Sequence, residues 1–133
     1  MNSFSGHITD VKTNGTMSLV CVGMDSGEEL MSVVIDTPET APYLEKGKKV
    51  NVLFKEMEVA LSPQKELDIS IENKFSGVIT NIEIGILLSR LVLKTNIGEV
   101  TAIISTLSLK QMGLVEQMTV WIMVKLNEII LAP

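Results

Sequence analysis

Residues 2 to 63 are written a second time from 73 to 133, which constrains the fold more than any other feature of the chain. Asn2-Ser3-Phe4-Ser5-Gly6-His7-Ile8-Thr9-Asp10-Val11 returns 71 positions later as Asn73-Lys74-Phe75-Ser76-Gly77-Val78-Ile79-Thr80-Asn81-Ile82. The offset holds through Gly27-Glu28 and Gly98-Glu99. One residue is then lost, and Val50, Lys55, Glu58, Leu61 and Pro63 recur 70 positions later as Val120, Lys125, Glu128, Leu131 and Pro133. A unit this long, repeated only twice, suits a pair of small domains rather than a solenoid.

Each unit has about 60 residues, a size at which a lone core is only marginally stable. The halves are therefore expected to need each other or further subunits. Hydrophobic residues make up 46% of the chain but aromatics only 4%, so the interior must be built from Val, Ile, Leu and Met. That much aliphatic surface on a short chain points to a buried oligomer interface. No apolar run approaches the roughly 18 residues that span a bilayer, and the first five residues lack the basic and apolar character of a signal peptide. The single Cys21 fits a reducing, cytoplasmic setting. A net charge of −5 argues against nucleic acid, whose phosphates demand clustered Lys and Arg.

Short β-branched runs at Val20–Val22, Leu30–Ile35, Val50–Lys55 and Met57–Leu61 alternate with turn signals at Asn14-Gly15, Ser26-Gly27 and Lys46-Gly47-Lys48. The second unit repeats the series at Leu88–Thr95, Val100–Ser105, Met118–Lys125 and Asn127–Leu131. Between the third and fourth strands lies one helical piece per unit. Pro38–Leu44 contains two prolines and has room for about one turn, whereas Leu107–Gly113 reads as a turn and a half. Five short strands with a helical turn between the third and fourth describe an all-β chain of two tandem OB-like barrels. The expected boundaries are 1–63 for the first repeat, 64–72 for a linker and lead-in strand, and 73–133 for the second. The linker reading rests on polar, proline-containing Ser62–Glu66, and the lead-in strand on the alternation of Leu67-Asp68-Ile69-Ser70-Ile71.

The pattern Asn-x-Phe-x-Gly-x-Ile-x-x-Ile, then Gly, then a third strand ending in Ile, a short helix, Gly-x-x-Val and a strand ending in Lys resembles the molybdate-binding domains called Mop or TOBE. Two in tandem are similar to the di-Mop, molbindin-type proteins. The resemblance spans essentially the whole chain. It implies OB-like barrels assembled as a homotrimer, with sites for molybdate or tungstate at interfaces between barrels or subunits. Such a dianion needs convergent N–H groups, hydroxyls and a Lys charge, with little carboxylate nearby.

The family's strand-terminal Lys falls at Lys55 and Lys125. Its Ser-Ala-Arg-Asn tetrapeptide reads Ser70-Ile71-Glu72-Asn73 here, with Glu in place of Arg, and only Met1-Asn2 stands ahead of the first unit. The family's hydroxyl pair after the third strand survives as Ser105 and Ser108 but has become Ile35 and Pro38 in the first unit. The implied oxyanion ligands are thus Lys55, Lys125, Ser70, Ser105 and Ser108. Glu72 and Glu56 carry the same sign of charge as the dianion and would weaken a site they faced.

Other residues read as structure. Gly6 and Gly77 mark a bulge or close packing, Asn2 and Asn73 anchor turns, and Cys21 is a small core residue. His7 has no partner at metal-ligand spacing. No nucleophile supported by a His, no repeated carboxylate pair and no phosphate loop points to an enzyme. The expected function is cytoplasmic binding of molybdate for buffering, storage or sensing, without an organic cofactor. The alternative is a regulatory or interaction module of molybdate-responsive transport or transcription with weakened sites.

Overall fold

The computed structural model describes residues 1–65 and 67–133. The first repeat forms β1 (Asn2–Asn14), β2 (Met17–Met24), β3 (Glu29–Val34), β4 (Lys49–Phe54) and β5 (Ala60–Ser62). The second forms β6 (Asn73–Ile84), β7 (Leu88–Thr95), β8 (Gly98–Ser105), helix α1 (Thr106–Met112), β9 (Thr119–Val124) and β10 (Ile130–Ala132). The registers repeat as the sequence does: Phe4 faces Val52 on β4, and Phe75 faces Ile122 on β9. A bulge falls between Ile8 and Asp10 in β1 and between Ile79 and Asn81 in β6. In each bulge the Thr hydroxyl, of Thr9 or Thr80, donates to the neighbouring strand at Cys21 O or Val92 O.

The fifth strands are exchanged. One curled sheet has the order β10-β4-β1-β2-β3 and the other β5-β9-β6-β7-β8. Thus Ile130–Ala132 of the second repeat pair with Leu53, Val52 and Asn51 of the first. Reciprocally, Ala60–Ser62 pair with Met123, Ile122 and Trp121 of the second. A 3-10 turn precedes each exchanged strand, at Glu56–Glu58 and Leu126–Glu128, and packs against the third strand of the other barrel. The segment from Lys125 to Ala132 therefore runs from the β3 edge of the first barrel to its β4 edge and closes it. Lys55 to Ser62 does the same for the second. Buried side chains from both barrels, including Phe54, Leu30, Ile79 and Ile122, form one contiguous cluster, so the repeats share a core that neither could complete alone.

Asn2 and Asn73 hold the exchange in place rather than anchoring turns. Asn73, 1% exposed, accepts from the Met31 N–H at 2.7 Å and donates to the Met31 carbonyl at 2.8 Å. Asn2 does the same to Thr101 in the other barrel, at 2.8 and 2.9 Å. Each carboxamide thus presents a donor and an acceptor to an edge strand, as a backbone peptide would. Asn73→Ala leaves both Met31 groups without their partner and should cost about 2–3 kcal/mol, read as a lower urea midpoint with an unchanged m-value.

Gly6 and Gly77 serve close packing. A Cβ at Gly6 would lie 2.7 Å from Val22 Cγ1 and one at Gly77 2.8 Å from Ile122 Cδ1, while the bulges come three residues later. Gly98, at φ 126°, leaves room for the Phe4 ring of the other repeat, which a Cβ would approach to 3.0 Å.

Three local expectations differ from the structure. The strands expected at Met57–Leu61 and Asn127–Leu131 start with the 3-10 turns and extend only over Ala60–Ser62 and Ile130–Ala132. In both, the chain must first turn away, through Glu58 N–H to Lys55 O and Glu128 N–H to Lys125 O, to reach the other barrel. Among the described residues only the second repeat has an α-helix. Pro38–Leu44 makes hydrogen-bonded turns such as Ala41 N–H to Thr37 O, because Pro42 has no N–H and disfavours helical backbone at Ala41. Finally, residues 67–72 form no strand; Ile69 is exposed and β6 begins at Asn73. Glu66, within the expected linker, lies outside the described residues.

Candidate functional site

Lys55 and Lys125 occupy matching positions, each the residue that opens the 3-10 turn crossing to the other barrel. Both are exposed. The exchange decides which barrel each one lies beside. Lys125 follows Val124, the register partner of Asn73, and Asn73 is bonded to β3 at Met31. Lys125, Asn73 and the neighbouring Glu72 therefore gather beside the first barrel, with Ser70 three residues before Asn73. Lys55 follows Phe54, the partner of Asn2, and Asn2 is bonded to β8 at Thr101, so Lys55 gathers beside the second barrel.

The surviving hydroxyl pair lies on the second barrel. Ser105 ends β8 and caps α1, its Oγ accepting from the Ser108 N–H at 3.0 Å. One hydroxyl lone pair is thus committed to the cap, while the O–H itself remains free to donate. The first barrel carries Ile35 and Pro38 at the corresponding place, both exposed. Ser70 lies in the segment that leads into Asn73, whose partner is Met31 of the first barrel, whereas Ser105 and Ser108 lie on the second. The structure brings Ser105 and Ser108 together at the start of α1. Thr101, where Asn2 docks, is four strand residues from Ser105, roughly 13 Å at the usual strand rise.

The carboxylates are arranged unequally. Glu56 turns to the Met1 amino group at 2.7 Å, and this hydrogen bond, followed by a backbone hydrogen bond, holds its carboxyl below the usual range. Arg90, opposite Ile103 on β7, contributes in the same direction and also lies 3.8 Å from Glu83. Glu72 is exposed and has no ion pair within 4 Å among the described residues. Cys21 lies half-buried on the outer face of β2 rather than in the core, since Val20 and Val22 take the inward positions. Burial, then Glu29 and Asp10, push its thiol up, away from nucleophilic thiolate.

An apolar surface around Ser105 and Ser108 was not legible as such in the sequence. The Thr106 N–H donates to Leu87 O at 2.9 Å, which places the β6–β7 hairpin tip against the start of α1. Ile86 is 96% exposed, Leu87 80% and Leu107 66%, with Ile84 and Leu88 beside them. The run Ile84-Gly85-Ile86-Leu87-Leu88 at a hairpin tip, where polar residues are usual, was the available signal.

Residues 69–131 match the TOBE domain. No curated protein matches the chain. Among solved structures, the crystal form of the cytoplasmic molybdate-binding protein ModG with molybdate bound aligns with a TM-score of 0.91 at 23% identity. The alignment covers 98% of this chain and 94% of that one. At this identity the likeness is one of fold, and it extends over both barrels. The second repeat is thus similar to the TOBE domain, and the first repeat builds a barrel of the same strand order.

Proposed function

We propose that the protein binds molybdate, with tungstate as the related ligand, and acts in the cytoplasm as a buffer, store or sensor rather than as an enzyme. The observation that carries this reading is the full-length match to molybdate-bound ModG. The residues support it: two lysines at equivalent positions, and a hydroxyl pair at the start of α1. The site residues are Lys55, Lys125, Ser70, Ser105 and Ser108, and the repeats divide at 1–63 and 73–133 with 64–72 between. Because the donors of one chain are separated between its barrels, a complete site requires a second copy. The apolar tip at Ile86, Leu87 and Leu107 is where that copy docks, in a homotrimer. Nucleic acid and membrane are not partners in this reading, in keeping with the net charge of −5. Among the described residues no helix is long and apolar enough to cross a membrane.

Titration calorimetry tests the assignment. Lys125→Ala or Lys55→Ala should weaken molybdate binding by about 1.5–3 kcal/mol, the worth of a charged hydrogen bond. Sulfate should bind less well. Glu72→Arg should tighten binding, by replacing a like charge with a bidentate donor.

A second reading is favoured by Glu72, Ile35 and Pro38 standing where the family places an Arg and two hydroxyls. It is a regulatory or interaction module of molybdate-responsive transport or transcription whose sites have decayed. Undetectable molybdate binding in the native chain, with no gain on Glu72→Arg, would select it.

A further inference from the structure

A cleft of about 410 Å³ on the outer face of the first barrel is lined by Ser5, His7, Asp25, Lys49, Asn51 and Pro133, the last following Ala132, the register partner of Asn51 on β10. It lies on the sheet face of β1 and β4, apart from Ser105, Ser108 and the apolar tip. Its floor is set by register. Ser5 faces Asn51 and His7 faces Lys49 across adjacent strands, while Gly6 and Val50 between them point inward and are buried. Four polar side chains thus share one exposed face. Ser5 Oγ donates to Asn51 Oδ1 at 3.2 Å, which leaves the Asn51 amide N–H groups for other acceptors. Neither Lys49 nor His7 has an ion-pair partner among the described residues.

Lys49 directly opposite His7 is an unfavourable pairing whenever the imidazole is charged, because like charges facing across strands repel. An anion held between them removes that cost and gains charge-assisted hydrogen bonds. On the far side of His7 stands Gly23, its register partner on β2. A Cβ there would come within 3.2 Å of His7 Cε1, so the glycine keeps that flank low. Asp25 follows on the β2–β3 turn. It is two strands away from Lys49, roughly 10 Å, which is far from the cationic end but within the same cleft. An exposed carboxylate there repels an anion and accepts from hydroxyls.

The equivalent cleft of the second barrel, 350 Å³, is lined by Ser76, Val78, Lys94, Asn96 and Thr119. Val78 and Thr119 stand where His7 and Lys49 do, and Lys94 faces Glu99 across the hairpin. The cationic pair is therefore particular to the first barrel, and packing common to both repeats does not account for it.

We propose that this cleft binds a small hydroxylated phosphomonoester, its dianionic head between His7, Lys49 and Asn51 and its hydroxyls towards Asp25. The volume fits such a ligand and exceeds what a bare tetrahedral ion fills. The site is independent of the molybdate reading.

His7 is the only histidine in the chain, so its ring protons give one resolvable NMR reporter. The full chain is titrated with glucose 6-phosphate, with orthophosphate and glucose as the separate arms. A saturable movement of the His7 signals with glucose 6-phosphate is expected, weaker with orthophosphate and absent with glucose. Lys49→Ala should weaken the phosphate arms about threefold to tenfold, the range for an exposed charged contact. Asp25→Asn should affect the sugar phosphate more than orthophosphate. No saturable shift, or the same curve in Lys49→Ala, overturns the site. Equal affinity for orthophosphate and the sugar phosphate overturns the role of Asp25. Molybdate calorimetry on His7→Gln should match the native chain, so failure of one site leaves the other standing.

Discussion

Ending the chain after Ile129 should open the first barrel and leave the second paired. The four residues removed lie at the far end of the sequence from the strands they protect. Ile130–Ala132 supply the partner of β4 at Leu53, Val52 and Asn51, and Leu131 is buried in the common core. Losing a buried Leu side chain costs about 2–5 kcal/mol, before the ladder hydrogen bonds are counted. A barrel of this size has only about 3–5 kcal/mol to lose. Hydrogen exchange reads the result by strand: β4 amides should lose protection while β9, still paired with Ala60–Ser62, keeps more of it. Leu61→Ala should reverse the pattern. Protection lost from β9 on truncation would contradict the exchanged topology.

Ile86→Glu combined with Leu87→Glu should dissociate the proposed trimer and abolish its proposed molybdate binding together. Both side chains are almost fully exposed in the single chain, so the charges cost the folded monomer little. Burying either at an interface is worth about 1.5–3 kcal/mol, and two buried carboxylates without partners cost more. Sedimentation should report a monomer, and circular dichroism should show that its barrels remain folded, at a lower thermal midpoint because the partner subunits no longer stabilise them. Molybdate binding retained by that monomer would place the ligand within one chain.

The sequence made the repeat, the strand count and the strand-terminal lysines legible because each depends on local pattern and on register that recurs. The exchange of fifth strands was not legible, for a physical reason. Val59-Ala60-Leu61-Ser62 and Ile129-Ile130-Leu131-Ala132 share the same alternation, so either copy fits either barrel, and local pattern cannot say which edge each will find. What decides is the 3-10 turn after Lys55 and Lys125 and the shared core beyond it. The same exchange hid which donors would meet. Lys125 shares a repeat with Ser105 and Ser108 yet follows Val124, the partner of Asn73, whose side chain docks on the other barrel. Asn2 and Asn73 were visible as a recurring pair, but their partners at Thr101 and Met31 are set by the docking of one repeat on the other. Exposure of the hairpin tip likewise depends on tertiary structure, since Ile84 to Leu88 reads locally as another apolar strand.

Native mass spectrometry of the full chain, with and without added molybdate, tests most directly whether oxyanion sites are completed between copies. The expected spectrum shows a trimer that takes up molybdate, with no molybdate on any monomer present. A monomer that carries molybdate, or a trimer that takes up none, would contradict it.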